Sequence, residues 1–270
     1  MDEKLLRVVT YADGSVYEGQ TSNGLMNGYG KLVYNQIESN NNRIRYEGMF
    51  KDDMPHGNGR IMFKDGSVFE GSVFEGKKEG KGKQIWPDGE YYDGEFKNDK
   101  RCGYGIYCYP TGAIYKGYWN DNKKNGTGIY NFSDGSVYDG DWFDNLCHGK
   151  GTCTYSDGAV YDGEWVLNKR HGRGKLIYSS SNAIYTGHFE EDLRHGHGKY
   201  KSPNVLYDGI WEYDDPVGVS EDVLLMIRTE SNNEMPSNSN NASSWFACCN
   251  NLSLGLGSTT IKLEFPNSLT

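Results

Sequence analysis

The feature that organises this chain is an aromatic residue followed two positions later by glycine, repeated at almost constant spacing. From Tyr46 to Tyr161 the step is 23 residues five times in succession. A constant period of this length is typical of repeat architectures, in which each unit packs against its neighbours. The first aromatics of the nine copies are Tyr17, Tyr46, Phe69, Tyr92, Tyr115, Tyr138, Tyr161, Tyr185 and Tyr207.

Each copy carries two further markers, counted from its first aromatic as position 0. A Gly-x-Gly begins at position +11 in eight copies, for example at Gly149, and the ninth copy keeps only Gly218. A second aromatic stands at position +4 in most copies, whereas Thr21 and Val73 occupy it in the other two. These second aromatics are Phe50, Phe96, Trp119, Trp142, Trp165, Phe189 and Trp211.

Turn chemistry between the copies predicts hairpins and fixes their register. Pro87-Asp88-Gly89 and similar triplets suit a type I turn that ends in a left-handed glycine. Because side chains alternate between faces, this turn makes paired positions within a repeat sum to 15. Glu18 then faces Lys31, and Gly19 faces Gly30. The chain is therefore predicted to be all-β, an elongated single-layer antiparallel β-meander over residues 11–215.

The same register places the paired glycines in one column across the sheet, with aromatic side chains on both sides. Bare backbone permits close approach, and Trp and Tyr are enriched at binding hot spots. We expect a protein partner in this groove, such as an amphipathic helix. The alternative is that the rings fold over their own glycines and fill the groove. The candidate partner-binding residues are Tyr92, Phe96, Tyr115, Trp119, Tyr138, Trp142, Tyr161, Trp165, Tyr185 and Phe189.

The two ends of the array suggest a cap and a site of self-association. Residues 220–230 predict a short capping helix with Ser220 as its N-cap. The Asn/Ser-rich residues 231–270 are predicted to be a linker and partly disordered tail, in which Cys248 and Cys249 are buried or idle thiols, or palmitoylation sites. Exposed edges at 11–20 and 205–212 would favour a homodimer through the sheet edges, or cover by residues 220–229.

Composition and charge narrow the classes of function. The net charge of −9 argues against nucleic acid, and it disfavours simple electrostatic docking on phospholipid. The first residues, MDEKLLRVVTYADG, lack a long apolar run, which predicts neither a signal peptide nor a membrane span. Six cysteines in a chain of this length do not indicate a disulfide framework. We therefore expect a cytoplasmic protein with reduced thiols.

Candidate chemistry is sparse. His56, His148, His171 and His195 share position +10, but successive repeats lie ~10 Å apart, whereas zinc ligands sit ~2 Å from the ion. The segment from Gly71 to Lys78 approaches a phosphate-binding loop but lies inside a strand–turn unit. No nucleophile stands with a matching base. The sequence predicts no catalytic residue, no metal site and no cofactor.

The repeat resembles the MORN (membrane occupation and recognition nexus) family. Its consensus, Tyr-x-Gly-x-Trp followed by His-Gly-x-Gly, is matched by the segments Tyr161–Trp165 and His171–Gly174. The resemblance covers roughly residues 11–218. It implies an array of about nine repeats over residues 1–219, with an insertion near residues 35–45.

The resemblance also implies a function without catalysis. It suggests a scaffold or targeting module like the repeats of junctophilins, alsin, radial-spoke head proteins and protist cytoskeletal scaffolds, at the cytoskeleton, the cilium or membrane junctions. Two alternatives stay open. One is a phospholipid-binding module. The other is a truncated relative of the targeting domain of a phosphatidylinositol phosphate kinase or a SET methyltransferase.

Overall fold

A computed structural model describes residues 5–35 and 42–232 of the chain. They form one antiparallel sheet of 19 strands, followed by a single helix. Strands that follow one another in the chain are hydrogen-bonded to each other, as at the junction of Gly105 with Gly117. The predicted all-β, single-layer meander with a short C-terminal helix is therefore confirmed.

In most repeats the first strand has seven residues and the second has nine. The second repeat has strands of nine and ten residues, and the last strand of the array has only two. The elements are β1 Leu5–Thr10, β2 Val16–Ser22, β3 Leu25–Val33, β4 Arg43–Lys51, β5 Met54–Phe63, β6 Val68–Phe74, β7 Lys77–Ile85, β8 Tyr91–Lys97, β9 Lys100–Cys108, β10 Ile114–Asn120, β11 Lys123–Asn131, β12 Val137–Phe143, β13 Leu146–Thr154, β14 Val160–Val166, β15 Lys169–Ile177, β16 Ile184–Glu190, β17 Leu193–Lys201, β18 Leu206–Glu212, β19 Asp215–Pro216 and α1 Glu221–Asn232.

The predicted register is correct up to the glycine pair of each repeat. Glu18 lies opposite Lys31, and Gly140 lies opposite Gly151. The turn that sets this register also has the predicted form: Gly135 takes a φ of 92°. Two faces result. We call the side that carries position 0 the aromatic face, and the side that carries position +1 the charged face.

Beyond the glycine pair the register shifts, which the turn chemistry did not predict. Trp142 pairs with Cys147, so three residues of β13 oppose only Asp141 of β12. The bulge requires a left-handed residue, and Gly149 supplies it with a φ of 71°. It also removes the amide of Lys150 from the ladder. The Asp141 carboxylate accepts that amide at 3.0 Å, which explains a side-chain acceptor at position +3.

The hairpins at the opposite ends of the strands lock each repeat onto the one before. Asp144 and Asn145 form a two-residue turn with φ of 48° and 75°, as in a type I′ hairpin. The side chain of Asn145 accepts the amide of Lys124 at 2.8 Å, and its own amide returns to the Lys124 carbonyl at 3.0 Å. Similar pairs join most successive repeats, so the turns stabilise the stacking of the array.

The edges of the sheet differ from the prediction. The first edge is β1, because this strand pairs with β2 along its length. At the other end β19 pairs with Trp211 and Glu212 of β18. The predicted edge at 11–20 is therefore wrong in position, since β1 lies beyond it. The predicted edge near 205–212 is covered by β19 only at Trp211 and Glu212. Dimerisation through an edge stays a prediction.

The helix α1 lies against the last repeats. It ends two residues later than predicted, and the Ser220 carbonyl accepts the amide of Leu224 at 3.0 Å, as expected of an N-cap position. Ile227 is fully buried. The Tyr200 hydroxyl donates to Glu230 at 2.9 Å, so helix and sheet share polar contacts as well as apolar ones.

Parts of two sequence predictions lie outside the described residues. The insertion near residues 35–45 falls between β3 and β4, and its residues 36–41 are not among those described. The tail from residue 233 onward, with Cys248 and Cys249, is likewise outside them.

Candidate partner-binding surfaces

The ten candidate residues form one continuous row on the aromatic face. Each indole or phenyl ring at position +4 stands between the position 0 rings of two successive repeats. Trp142 contacts Tyr115 and Tyr138, with ring centroids 5.3 and 5.2 Å apart and nearly perpendicular planes. All ten side chains are buried, with at most 5% of their surface exposed. The array thus has a core, although the sheet has only one layer.

The groove that the sequence suggested is filled. The hydroxyl of Tyr138 donates to the Asp141 carbonyl at 2.9 Å, which lays the ring across the glycine column. A Cβ on Gly151 would stand only 2.5 Å from that hydroxyl oxygen. The expectation of an open groove floored by bare backbone is therefore wrong, and the alternative of rings folded over their own glycines is correct. A binding role for the ten residues stays a prediction, one that their burial disfavours.

A row of cations, unnoticed in the sequence, completes the aromatic face. Position +9 carries Lys78, Arg101, Lys124, Arg170 and Arg194, three of them less than 9% exposed. The guanidinium of Arg101 lies 4.6 Å from the Trp119 ring, and that of Arg194 lies 4.4 Å from Trp211. Arg170 and Arg194 also pair with turn carboxylates, Asp192 and Asp214. Cation–π contacts and pairing offset part of the desolvation cost.

Ionisation on this face follows from burial. Burial lowers the pKa of Lys78 to about 8, and Asp99 opposes that shift. The Lys78 ammonium donates to Gln84 at 2.6 Å and lies 4.9 Å from the Phe96 ring. Burial also raises the pKa of Tyr17 to about 12. Both groups are therefore part of the packed aromatic face.

The charged face carries a ladder of alternating sign. Lys31 lies between Glu18 and Glu47 on the neighbouring strands, and Arg60 follows between Glu47 and Glu70. Arg60 and Glu70 are 3.2 Å apart. Each of these cations lies next to carboxylates, which would repel a bound phosphate group.

Three of the histidines that share position +10 lie against aromatic rings. His56, His148 and His195 contact the rings of Phe74, Phe143 and Tyr213. Over residues 5–35 and 42–232, no group of three or more His, Cys, Asp or Glu side chains is placed to hold one metal ion. Within the same ranges, no helix is long and apolar enough to cross a bilayer.

Comparison with protein families supports the repeat assignment. The family described as MORN repeat matches residues 17–36, 46–68, 69–91, 92–114, 115–137, 138–160, 161–183 and 185–204. These boundaries coincide with the first aromatics of consecutive copies. Together the matches cover more than half of the chain.

Two solved structures show only distant similarity. The TCP domain of Drosophila melanogaster SAS-4 (dCPAP), in complex with a proline-rich motif of Ana2 (dSTIL), is 19% identical, covers 68% of this chain and 90% of that chain, and has a TM-score of 0.33. A catalytically inactive virginiamycin B lyase from Staphylococcus aureus with quinupristin is 9% identical, covers 82% and 89%, and has a TM-score of 0.17. Neither TM-score supports an argument about fold or ligand.

Proposed function

Because the chain belongs to the MORN repeat family, we propose that it is a non-catalytic scaffold that binds other proteins in the cytoplasm. The family itself supports a repeat protein for protein or membrane interaction, and the choice between these two rests on charge. A site at the cytoskeleton, the cilium or a membrane junction is the location that the family suggests.

The alternating ladder of the charged face is the observation that carries the proposal. An anionic headgroup binds best where several cations lie together without carboxylates beside them. Here Lys83 lies between Glu70 and Asp93, as Lys31 and Arg60 lie between acids of their own. The cations of the aromatic face are stacked among rings. Protein partners, in contrast, tolerate surfaces of mixed sign.

Paired binding measurements test the choice. The purified chain is incubated with phosphatidylcholine vesicles with and without phosphatidylinositol bisphosphate, over a series of salt concentrations. We expect no phosphoinositide-dependent sedimentation. Proximity labelling with the same chain should identify neighbouring proteins. After purification, these proteins should bind the chain directly.

A matched variant identifies the source of any vesicle binding. Lys31→Gln with Arg60→Gln removes two cations of the ladder. Binding that depends on phosphoinositide, falls with salt and is lost in this variant would overturn the proposal in favour of a phospholipid-binding module.

A further inference from the structure

The charge ladder is interrupted in the middle of the sheet. Position +1 is acidic in seven of the nine repeats, as Glu18, Glu47, Glu70, Asp93, Asp139, Asp162 and Asp208. In the fifth repeat it is Lys116, which is exposed. Its cross-strand partners are Ile106 on β9 and Ile129 on β11, where most other repeats supply a lysine or arginine and one supplies Thr152. This lysine thus stands between two isoleucines instead of between opposite charges.

Two tyrosines adjoin this lysine on the same face. Tyr104 and Tyr118 are directly opposed across β9 and β10, with ring centroids 5.7 Å apart and planes at 79°. Their exposed fractions are 48% and 51%, and Ile129 is 38% exposed. We define the central patch as Tyr104, Ile106, Lys116, Tyr118 and Ile129.

Other repeats show that an apolar pair is not needed at this level for folding, although Tyr29 and Met49 form a second exposed pair of this kind. Two repeats earlier, the positions that correspond to Tyr104 and Tyr118 are occupied by Asn58 and Ser72. These two side chains share a hydrogen bond of 3.2 Å. Two repeats later, the same positions are occupied by Lys150 and Glu164. Both pairs suit a solvated face. A cluster of exposed aromatic and aliphatic side chains around one lysine instead resembles the centre of a protein interface.

Acidic residues bound the central patch on both sides. Asp93 pairs with Ile106, and Asp139 pairs with Ile129, so the row across five strands reads Asp, Ile, Lys, Ile, Asp. At ~4.8 Å per strand, each aspartate lies ~10 Å from the lysine. The surface therefore attracts a single negative charge at its centre and repels further ones at its rim. Polyanions such as nucleic acid or a phosphoinositide headgroup are disfavoured by that rim.

We propose that the central patch binds a protein segment that presents one carboxylate flanked by large apolar side chains. The carboxylate pairs with Lys116, and the apolar side chains pack on Tyr104, Tyr118 and the two isoleucines. Burial against the rings would strengthen the ion pair by excluding water. This inference rests on the proposed function, since it names the surface and the kind of partner.

Selection from a phage-displayed library of random dodecapeptides tests the proposal. Peptides that bind the full chain should share an Asp or Glu next to Ile, Leu, Phe or Trp. A synthetic peptide of that consensus is then titrated by fluorescence anisotropy. Lys116→Glu should weaken it by at least about tenfold, which corresponds to ~1.4 kcal/mol. Tyr118→Ser should weaken it by a similar factor.

The variants have controls for folding and for charge. Lys116→Glu introduces the residue type that position +1 carries in most repeats, so its thermal midpoint should stay near that of the wild type. Lys201→Glu makes the same charge change on the same face, between Ile184 and Leu206 but away from the tyrosine pair. This control should leave the affinity for the peptide within about twofold.

Each remaining outcome contradicts the proposal. It is overturned if the library gives no binder, if the consensus lacks a carboxylate, or if folded Lys116→Glu binds the peptide as tightly as the wild type. Purified protein partners that bind Lys116→Glu unchanged would refute the patch and leave the scaffold function standing. Phosphoinositide-dependent vesicle binding with no protein partner would instead remove the proposed function.

Discussion

The two faces of the sheet are built from the same strands but obey different constraints. On the aromatic face, position 0 is an aromatic ring in every repeat, and the rings interlock from one repeat to the next. On the charged face, position +1 changes from Glu18 to Lys116 to Thr186 without any change in backbone pairing. The difference teaches that one face specifies the fold, while the other is free to vary.

The physical reason lies in what each side chain contacts. A ring on the aromatic face touches its own glycine column, the ring at +4 and the next repeat, so a change there disturbs three elements. A residue on the charged face contacts mainly its cross-strand partners, at roughly 0.2–1 kcal/mol for each pair. Substitutions on the aromatic face should therefore destabilise the protein far more than substitutions on the charged face.

The largest loss of stability is expected for Trp142→Ala. The indole is 2% exposed, stands between two tyrosines and donates to the Gly128 carbonyl at 2.9 Å. Its removal should lower the free energy of unfolding by about 3–5 kcal/mol, measured in urea. Trp142→Phe is the control and should cost much less, because Phe96 and Phe189 occupy this position in other repeats. An alanine variant within about 1 kcal/mol of the wild type would contradict the interlocked core.

The next largest loss of stability, about 3 kcal/mol, is expected for Gly140→Ala. A Cβ on Gly140 would lie 2.5 Å from the Gly151 Cα and 2.6 Å from the Lys150 carbonyl oxygen, so a single methyl group already clashes with backbone. Because the first carbon already clashes, Gly140→Val should be at least as damaging. Gly135→Ala is the control. It has a φ of 92° and open space around it, so it incurs only the left-handed strain of about 1–2 kcal/mol. Equal thermal midpoints for the two alanine variants would refute the filled column.

Lys78→Met should stabilise the protein at neutral pH, because it removes a buried charge from a position that holds Met26 in the first repeat. The pKa of Lys78 is about 8 in the folded protein, below the ordinary lysine value of 10.5 that applies to the unfolded chain. The unfolded chain therefore binds more protons between these values, and wild-type stability should rise as pH increases from 8 towards 10. The rise should be of order 1–2 kcal/mol and absent in the methionine variant. An identical pH dependence of the urea midpoint in both proteins would contradict this assignment.

The smallest effect on stability is expected for a substitution on the charged face. Glu70→Gln removes the ion pair with Arg60, whose side chain is 49% exposed while that of Glu70 is 62% exposed. Stability should change by less than about 0.5 kcal/mol, and less still at high salt. A loss of the size expected for Gly140→Ala would mean that the charged face also specifies the fold.

Much of the architecture followed from the sequence alone. The 23-residue step indicated the number of hairpins, and the Asp-Gly turns predicted the pairing of Glu18 with Lys31 and of Gly140 with Gly151. These features are local, because every partner in a hairpin lies within one repeat. Turn geometry and the two-residue alternation of side chains are then sufficient to determine them.

The bulge at Gly149 has a signal in the sequence that the predicted register did not use. Glycine recurs at position +11, although that register requires it only at +13. An extra glycine inside a strand pattern often marks a bulge. The edge strand β1 was also missed, since Leu5–Thr10 lacks the aromatic and glycine markers of the repeat.

The candidate site depended on information that a one-dimensional pattern lacks. The sequence placed Tyr138 beside the glycine column, but the ring could either flank the column or cover it. The hydrogen bond from its hydroxyl to the Asp141 carbonyl shows that the ring covers the column, and the rings of Trp142 in the same repeat and Trp165 in the next repeat hold it there. The sequence by itself determined which residues share a face, because alternation is a property of the backbone. Only the tertiary structure decided which side chains on that face are buried, because burial depends on how successive repeats pack together.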